Sequence, residues 1–209
     1  CNHMDVPSHY IQSYCTIRDR SIALNGTTWL KMDSSTTLAD FLKSAYRQLD
    51  IDYPKFHKMD GLCKAIFIAT ELMTRDSGPY PSDTALIFSN RSSSYLSDNK
   101  HALGIFNTEN ATASPATFVY TLPNIALGEI SIRHQLHSEN VFFIFDRYSP
   151  EFLVPYTQAA LDDKKLANAI SGWTEISGHT CDLLLYYIGK SGSVPHTVAQ
   201  LKRIYNEHE

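Results

Sequence analysis

The turn at residues 145–150 holds the side chains best placed for chemistry in this sequence. It reads Phe-Asp-Arg-Tyr-Ser-Pro and joins an apolar run, predicted to be a strand, to a predicted helix. Open α/β sheets bind ligands at the carboxyl ends of their strands, and a helix N-terminus there favours negative charge. Tyr148 and Ser149 are therefore the candidate nucleophiles. A structural interpretation competes with this one: Ser149 caps the helix and Asp146 pairs with Arg147. A nucleophilic Ser149 needs a base, and the sequence marks none.

Other reactive groups point to no metal and no cofactor. His134 and His137 are three residues apart, with Glu129 five residues before His134, so this trio could hold a metal or could be a solvated or capping group. The sequence lacks HExxH, GxGxxG and GxxxxGK[ST], and also the GxSxG nucleophile elbow. We therefore expect no metal site and no bound nucleotide.

The four cysteines show no CxxC spacing. Cys15, Cys63 and Cys181 lie in apolar segments, which is typical of buried free thiols that behave as small hydrophobes. A disulfide or a metal site remains the alternative. No charged-then-apolar leader opens the sequence, which favours a reducing cytoplasm.

Composition excludes several classes of function. The chain has 18 Lys and Arg against 22 Asp and Glu, with no basic cluster, so nothing favours nucleic acid. Its apolar runs are shorter than the roughly 20 residues that span a bilayer. Residues 1–9 are expected to be disordered or a cloning remnant, and residues 10–209 to form a single domain.

Strand and helix patterns alternate along the chain, which predicts a covered α/β sheet. The strand at 141–145 is apolar on both faces and is placed at the centre of that sheet. The helix at 118–136 carries Gly128 in its middle. The predicted strands are 10–17, 83–89, 141–145 and 181–188. The predicted helices are 38–46, 59–74 with Asp60 as its cap, 118–136, 152–170 and 196–206. Residues 90–112 are predicted to form a loop with a short helix near 96–103.

Several strings resemble the N-terminal half of a β-ketoacyl synthase, of the thiolase superfamily. They are residues 53–62, 83–94, 114–118 and 122–132, the last being the most specific, followed by the strand, turn and helix of 141–170 and the strand of 181–190. The resemblance spans roughly residues 10–190 and is strongest to divergent ketosynthase-like proteins of aryl-polyene or flexirubin-type pigment clusters. It implies a thiolase-like half-fold: a mixed, mostly parallel five-stranded sheet with helices on both faces.

The resemblance also implies where an acyl chain and a second subunit would bind. In the family, the segment matching 122–132 lies at the dimer interface and the acyl channel. Gly128 would let a backbone or an acyl chain approach closely. The residues so implied are Phe118, Leu122, Asn124, Ile125, Gly128 and Phe145.

Departures from the family pattern shape the functional hypothesis. The family's nucleophile is a Cys; here that position falls at Tyr148, with Ser149 next to it. Its two catalytic His come from the second half of the fold, outside the matched residues. We therefore expect a non-catalytic partner or acyl-binding subunit in fatty-acid or polyketide-type synthesis. Its partner would be a ketosynthase or a second copy, and an acyl carrier protein is a further candidate. The alternative is an acyltransferase or thioesterase that uses the Tyr148/Ser149 turn, and a scaffold without any ligand is a third possibility.

Overall fold

The computed structural model describes residues 7–91, 124–163 and 166–207. These residues form an eight-stranded mixed sheet in the order β3-β2-β1-β7-β6-β4-β5, with the short β8 pairing β1. Two strand pairs, β4–β5 and β4–β6, are parallel, and the other five are antiparallel. The strands are β1 (Tyr10–Arg18), β2 (Ser21–Leu24), β3 (Thr27–Lys31), β4 (Ala85–Asn90), β5 (Asn140–Ile144), β6 (Ala169–Ser177), β7 (Thr180–Gly189) and β8 (Val194–Pro195).

Helices cover both faces of the sheet. The described helices are α1 (Leu38–Leu49), α2 (Gly61–Ser77), α3 (Asn124–His134), α4 (Pro150–Asp163) and α5 (Val198–Asn206), with a 3₁₀ helix at Pro54–Lys58. Asp60 caps α2 as predicted, because its Oδ1 accepts from the Cys63 N–H at 2.7 Å. Thr37 and Thr197 cap α1 and α5 in the same way. None of the helices in the described ranges is long and apolar enough to cross a membrane.

The two faces hold separate hydrophobic cores. The first face packs against α1, α2 and α3, and the second against α4 and α5. Cys15, Cys63 and Cys181 are buried and free, as small hydrophobes would be. Burial raises the pKa of all three thiols. The cysteines are therefore part of the first core, facing α1–α3.

The prediction of a mixed sheet covered on both faces is confirmed, but its strand count and its mostly parallel character are wrong. The described sheet has eight strands, not five, and antiparallel pairs predominate. One cause is the β2–β3 hairpin, whose turn uses Asn25 and Gly26 at positive φ. The other is β6, which occupies residues 169–177, whereas the predicted helix ran to Ile170. That helix, α4, ends at Asp163.

The strand predicted at the centre of the sheet lies at its edge. Among the described residues, β5 pairs with β4 alone. Its apolar pattern has another cause: Phe142 contacts Phe88 on the first face, while Phe143 joins the core of the second. Both faces of β5 are thus partly covered, although within the described residues it is an edge strand.

A single glycine lets β6 and β7 approach each other. Gly172 has φ +145°, and a Cβ there would lie 2.0 Å from the backbone oxygen of Leu184. Any side chain would force the two strands apart. This close pairing holds β6 against β7 beneath α4.

Candidate functional site

The turn at residues 145–150 lies at the carboxyl ends of β4 and β5, where the sequence placed it. The Phe145 N–H donates to the Asn90 carbonyl at 2.8 Å, which fixes the end of β5 against the end of β4. The first turn of α4 then closes on Ser149, whose carbonyl accepts from the N–H groups of Phe152 and Leu153. The turn is thus held by backbone bonds on both sides.

Tyr148 points from this turn into the core of the second face. Its side chain is buried, with ring centroids 4.7 Å from Tyr205 and 6.3 Å from Trp173. Burial, with the neighbouring Tyr186 as a smaller cause, holds the pKa of the Tyr148 hydroxyl well above its usual value. A buried phenol of this kind stays protonated and out of reach of a substrate.

Ser149 is partly exposed, and its hydroxyl is bound locally. Its Oγ donates to the Arg147 carbonyl at 3.1 Å, so it does not cap α4 through its side chain as the structural interpretation expected. Asp146 and Arg147 are both exposed and form no ion pair with each other, which corrects the second part of that interpretation. Within the described residues, no basic side chain hydrogen-bonds the Ser149 hydroxyl.

A polar cluster beneath the turn was not foreseen from sequence. Asp182 on β7 accepts hydrogen bonds from Trp173 Nε1, at 3.2 Å, and from the Tyr205 hydroxyl. Its other oxygen lies 3.3 Å from Arg18 Nε, and the Arg18 guanidinium stacks over the Tyr205 ring. The cluster joins β1, β6, β7 and α5, so α5 is anchored next to Tyr148. Sequence spacing carried no signal for it, because its members come from four separate segments.

The residues that the resemblance assigned to an acyl channel are only partly described. Phe118 and Leu122 lie outside the described residues. Asn124 is exposed, while Ile125 and Gly128 are half-buried on α3. A Cβ at Gly128 would meet no described atom within 4 Å, so the close approach expected there is not made by this part of the chain.

Helix α3 is attached to α2 by a half-buried ion pair. Both Glu71 carboxylate oxygens accept from the Arg133 guanidinium, and His134 Nε2 lies 3.4 Å from the same carboxylate. The His134 ring therefore lies against the Glu71 carboxylate of α2, whereas His137 is exposed. The trio suggested as a metal site is not brought together, and the described ranges contain no cluster of His, Cys, Asp and Glu suited to a metal ion.

An aromatic and aliphatic band runs along β5 and the start of α4. We call it the edge surface, made of Phe143, Ile144, Phe145, Phe152 and Tyr156. The Phe143 ring stacks on Phe145 at 5.5 Å and meets Phe152 and Tyr156 edge-on at about 5 Å. Ile144 is 53% exposed and Phe152 is 42% exposed. An exposed apolar band on an edge strand is typical of a protein–protein contact.

Two pockets lie away from the turn. A groove of about 570 Å³ lies over β1–β3, with Arg18, Arg20 and Lys31 among its lining residues. A cleft of about 190 Å³ separates the end of α4 from β4 and β5, lined partly by Ala159 and Ala160. Neither pocket is lined by Tyr148 or Ser149.

Solved structures identify the fold. The chain is similar to "the ishigamide ketosynthase/chain length factor", with a TM-score of 0.63 and 12% identity, over 87% of this chain and 62% of that one. It is similar to the ketosynthase ApeO in complex with its chain length factor ApeC from Xenorhabdus doucetiae, with a TM-score of 0.56 and 10% identity, over 90% of this chain and 81% of the matched chain. A β-ketoacyl synthase from Burkholderia phymatum STM815 matches with a TM-score of 0.57 and 11% identity, over 89% of this chain and 60% of that one.

The chain therefore has the thiolase-like fold of ketosynthases and chain length factors, as the resemblance predicted. It spans about three fifths of the length of the ishigamide and Burkholderia proteins that it matches. No protein-family model and no curated protein sequence matches it. At identities of 9–12%, the similarity lies in the fold.

Proposed function

We propose that this chain is a non-catalytic partner subunit of a ketosynthase in fatty-acid or polyketide-type synthesis. The observation that carries the proposal is the edge surface. Strand β5 pairs on one side only within the described residues, and Ile144 and Phe152 expose apolar side chains beside it. A partner strand that adds to β5 would satisfy its backbone groups and cover this apolar band.

The fold neighbours support an assembly of this kind. One of them is a ketosynthase in complex with its chain length factor, and another is a ketosynthase in complex with an acyl carrier protein. We propose a ketosynthase as the partner of this chain, with a second copy of the chain as the alternative. The three buried free thiols support a reducing compartment such as the cytoplasm.

The side chains at the turn support a non-catalytic role. A condensing enzyme needs a thioester nucleophile with groups that stabilise the oxyanion. Tyr148 occupies the position that resembles the family's nucleophile, but its hydroxyl is buried against Trp173 and Tyr205. A phenol that packs into the core in this way supports a turn without a nucleophile.

The mass of the native protein tests the partner role. The chain is purified alone and after co-expression with a ketosynthase, and both samples are measured by native mass spectrometry. We expect a complex that contains one or more copies of this chain and the ketosynthase, or a dimer of this chain. A monomer in both samples would contradict the proposal.

Replacing Ser149 by alanine is expected to leave any thioester cleavage unchanged. The Ser149 hydroxyl donates to a backbone carbonyl and has no neighbouring base in the described site, so it is not activated. Hydrolysis of acyl thioesters by the complex is compared for wild type and S149A. A loss of about a hundredfold or more in S149A would instead assign catalysis to this turn.

A further inference from the structure

A cluster of buried polar side chains lies between α4 and the second face of the sheet. Thr157, Ser171, Tyr186 and His196 are fully buried and Tyr148 nearly so. The Thr157 hydroxyl and both ring nitrogens of His196 have no hydrogen-bond partner among the described residues. Of these five residues, only Tyr148 enters the argument for the partner-subunit role proposed above.

Contacts on the strands bring these side chains to one place. Ser171 on β6 lies directly opposite Tyr186 on β7, on the face that α4 covers. Burial is the largest influence on the Tyr186 hydroxyl and raises its pKa, and hydrogen bonds with the hydroxyls of Tyr148 and Ser171 lower it in part, so that the pKa is raised to about 12. Tyr148, Ser171 and Tyr186 thus form one end of the cluster.

His196 forms the other end. Its ring centroid lies 5.8 Å from that of Tyr186, and Gln158 on α4 donates to its backbone carbonyl at 3.4 Å. The turn of α4 that carries Thr157 is therefore next to His196. Four segments converge here: α4, β6, β7 and the junction between β8 and α5.

The chemistry of the cluster selects its ligand. Four hydroxyls can each donate and accept, and a neutral imidazole offers one donor and one acceptor. The cluster carries no carboxylate and no cationic side chain, so it suits a neutral hydrogen-bonding molecule and not an ion. Leaving the Thr157 hydroxyl and the His196 ring unpaired would cost about 1–3 kcal/mol for each group, a large share of the about 5–15 kcal/mol that stabilises a native domain.

We propose that this cluster is a binding site for buried water, held chiefly by Thr157, Tyr186 and His196. A buried water makes about three hydrogen bonds to groups that otherwise lack partners. Tyr148 and Ser171 extend the site through Tyr186 to the turn that begins α4. The water connects that turn to the segment that begins α5, and so links the two helices that cover this face.

A Thr157→Val exchange tests the proposal by the sign of its effect. Valine keeps the shape of threonine but removes its hydroxyl. If Thr157 holds water, T157V is expected to raise the equilibrium constant of unfolding about tenfold, because a hydrogen bond is lost and the water is left underbonded. If the site is dry, the same exchange removes an unpaired polar group, and the equilibrium constant stays the same or falls.

Two further measurements complete the test. Thr70→Val in α2 is the matched control. The buried Thr70 hydroxyl donates to the carbonyls of Ile66 and Phe67 at 3.0 Å, so T70V gives the change in stability when a buried threonine loses a hydroxyl that is bonded within the chain. NMR cross-relaxation between water and the protons of Thr157, Tyr186 and His196 in wild type detects a long-lived bound water. Destabilisation of T157V together with such cross-peaks supports the site. Unchanged or increased stability of T157V, or the absence of long-lived water at these protons, would overturn it.

Discussion

Replacing Ile144 by lysine is expected to weaken association with the partner subunit at least about a hundredfold and to leave the fold intact. Ile144 is 53% exposed at the end of β5, where it extends the edge surface onto the face opposite Phe143 and Phe145. A partner strand on this edge would cover it, and the charge would lose its hydration. Lysine on an edge strand is a common device that prevents strand pairing for this reason. A loss of about 2.7 kcal/mol in binding corresponds to a hundredfold.

A matched variant separates the edge surface from a general effect of charge. Thr28→Lys adds the same charge to β3, which is exposed and lies at the opposite end of the sheet. Affinity for the ketosynthase is measured by titration for wild type, I144K and T28K, with thermal unfolding as the check on folding. Equal affinities for all three proteins would show that the partner binds elsewhere.

Strand β5 shows what sequence can and cannot predict about the fold. Its position and apolar character were predicted correctly, because five consecutive apolar residues bounded by polar ones indicate a covered strand. Within the described residues it lies at the edge of the sheet and not at the predicted centre. An edge strand can be half-buried on both faces when helices lie on both sides of the sheet, as α3 and α4 do here. Strand order depends on pairing between distant segments, which local hydrophobicity does not record.

Strand β6 was missed for a different reason. Its residues follow α4 closely, and small and polar side chains such as Ser171, Gly172 and Thr174 lower its local strand signal. All residues of β6 but the last are nonetheless buried, because β4 and β7 flank it and helices cover it. Tertiary burial here overrides local propensity.

The candidate site was predicted in part. The turn at 145–150 was placed correctly because a strand followed by a helix start has a clear local signature. The direction of the Tyr148 side chain was beyond prediction, since it depends on Trp173 and Tyr205, which are 25 and 57 residues away in sequence. The Asp182 cluster was missed for the same reason.

Acid is expected to destabilise the protein through His196. Its ring is fully buried, and burial, followed by the nearby His9, lowers its pKa from 6.5 to about 4. The unfolded chain therefore binds a proton on this ring at a higher pH than the folded chain does. The stability due to the neutral ring is complete above pH 6.5 and is lost as the pH falls toward 4. We expect a loss of about 2 kcal/mol at pH 5, approaching about 3 kcal/mol below pH 4.

Urea unfolding at pH 7 and pH 5 measures this loss, and two variants assign it. His196→Gln removes the titrating ring, so the difference in free energy of unfolding between the two pH values should shrink by about 2 kcal/mol. His179→Gln removes an exposed histidine and should leave the difference unchanged. A smaller difference in free energy of unfolding between pH 7 and pH 5 remains in H196Q, because burial also lowers the pKa of His134. An undiminished pH dependence in H196Q would contradict the prediction, because it would mean that the His196 pKa does not differ between the folded and the unfolded protein.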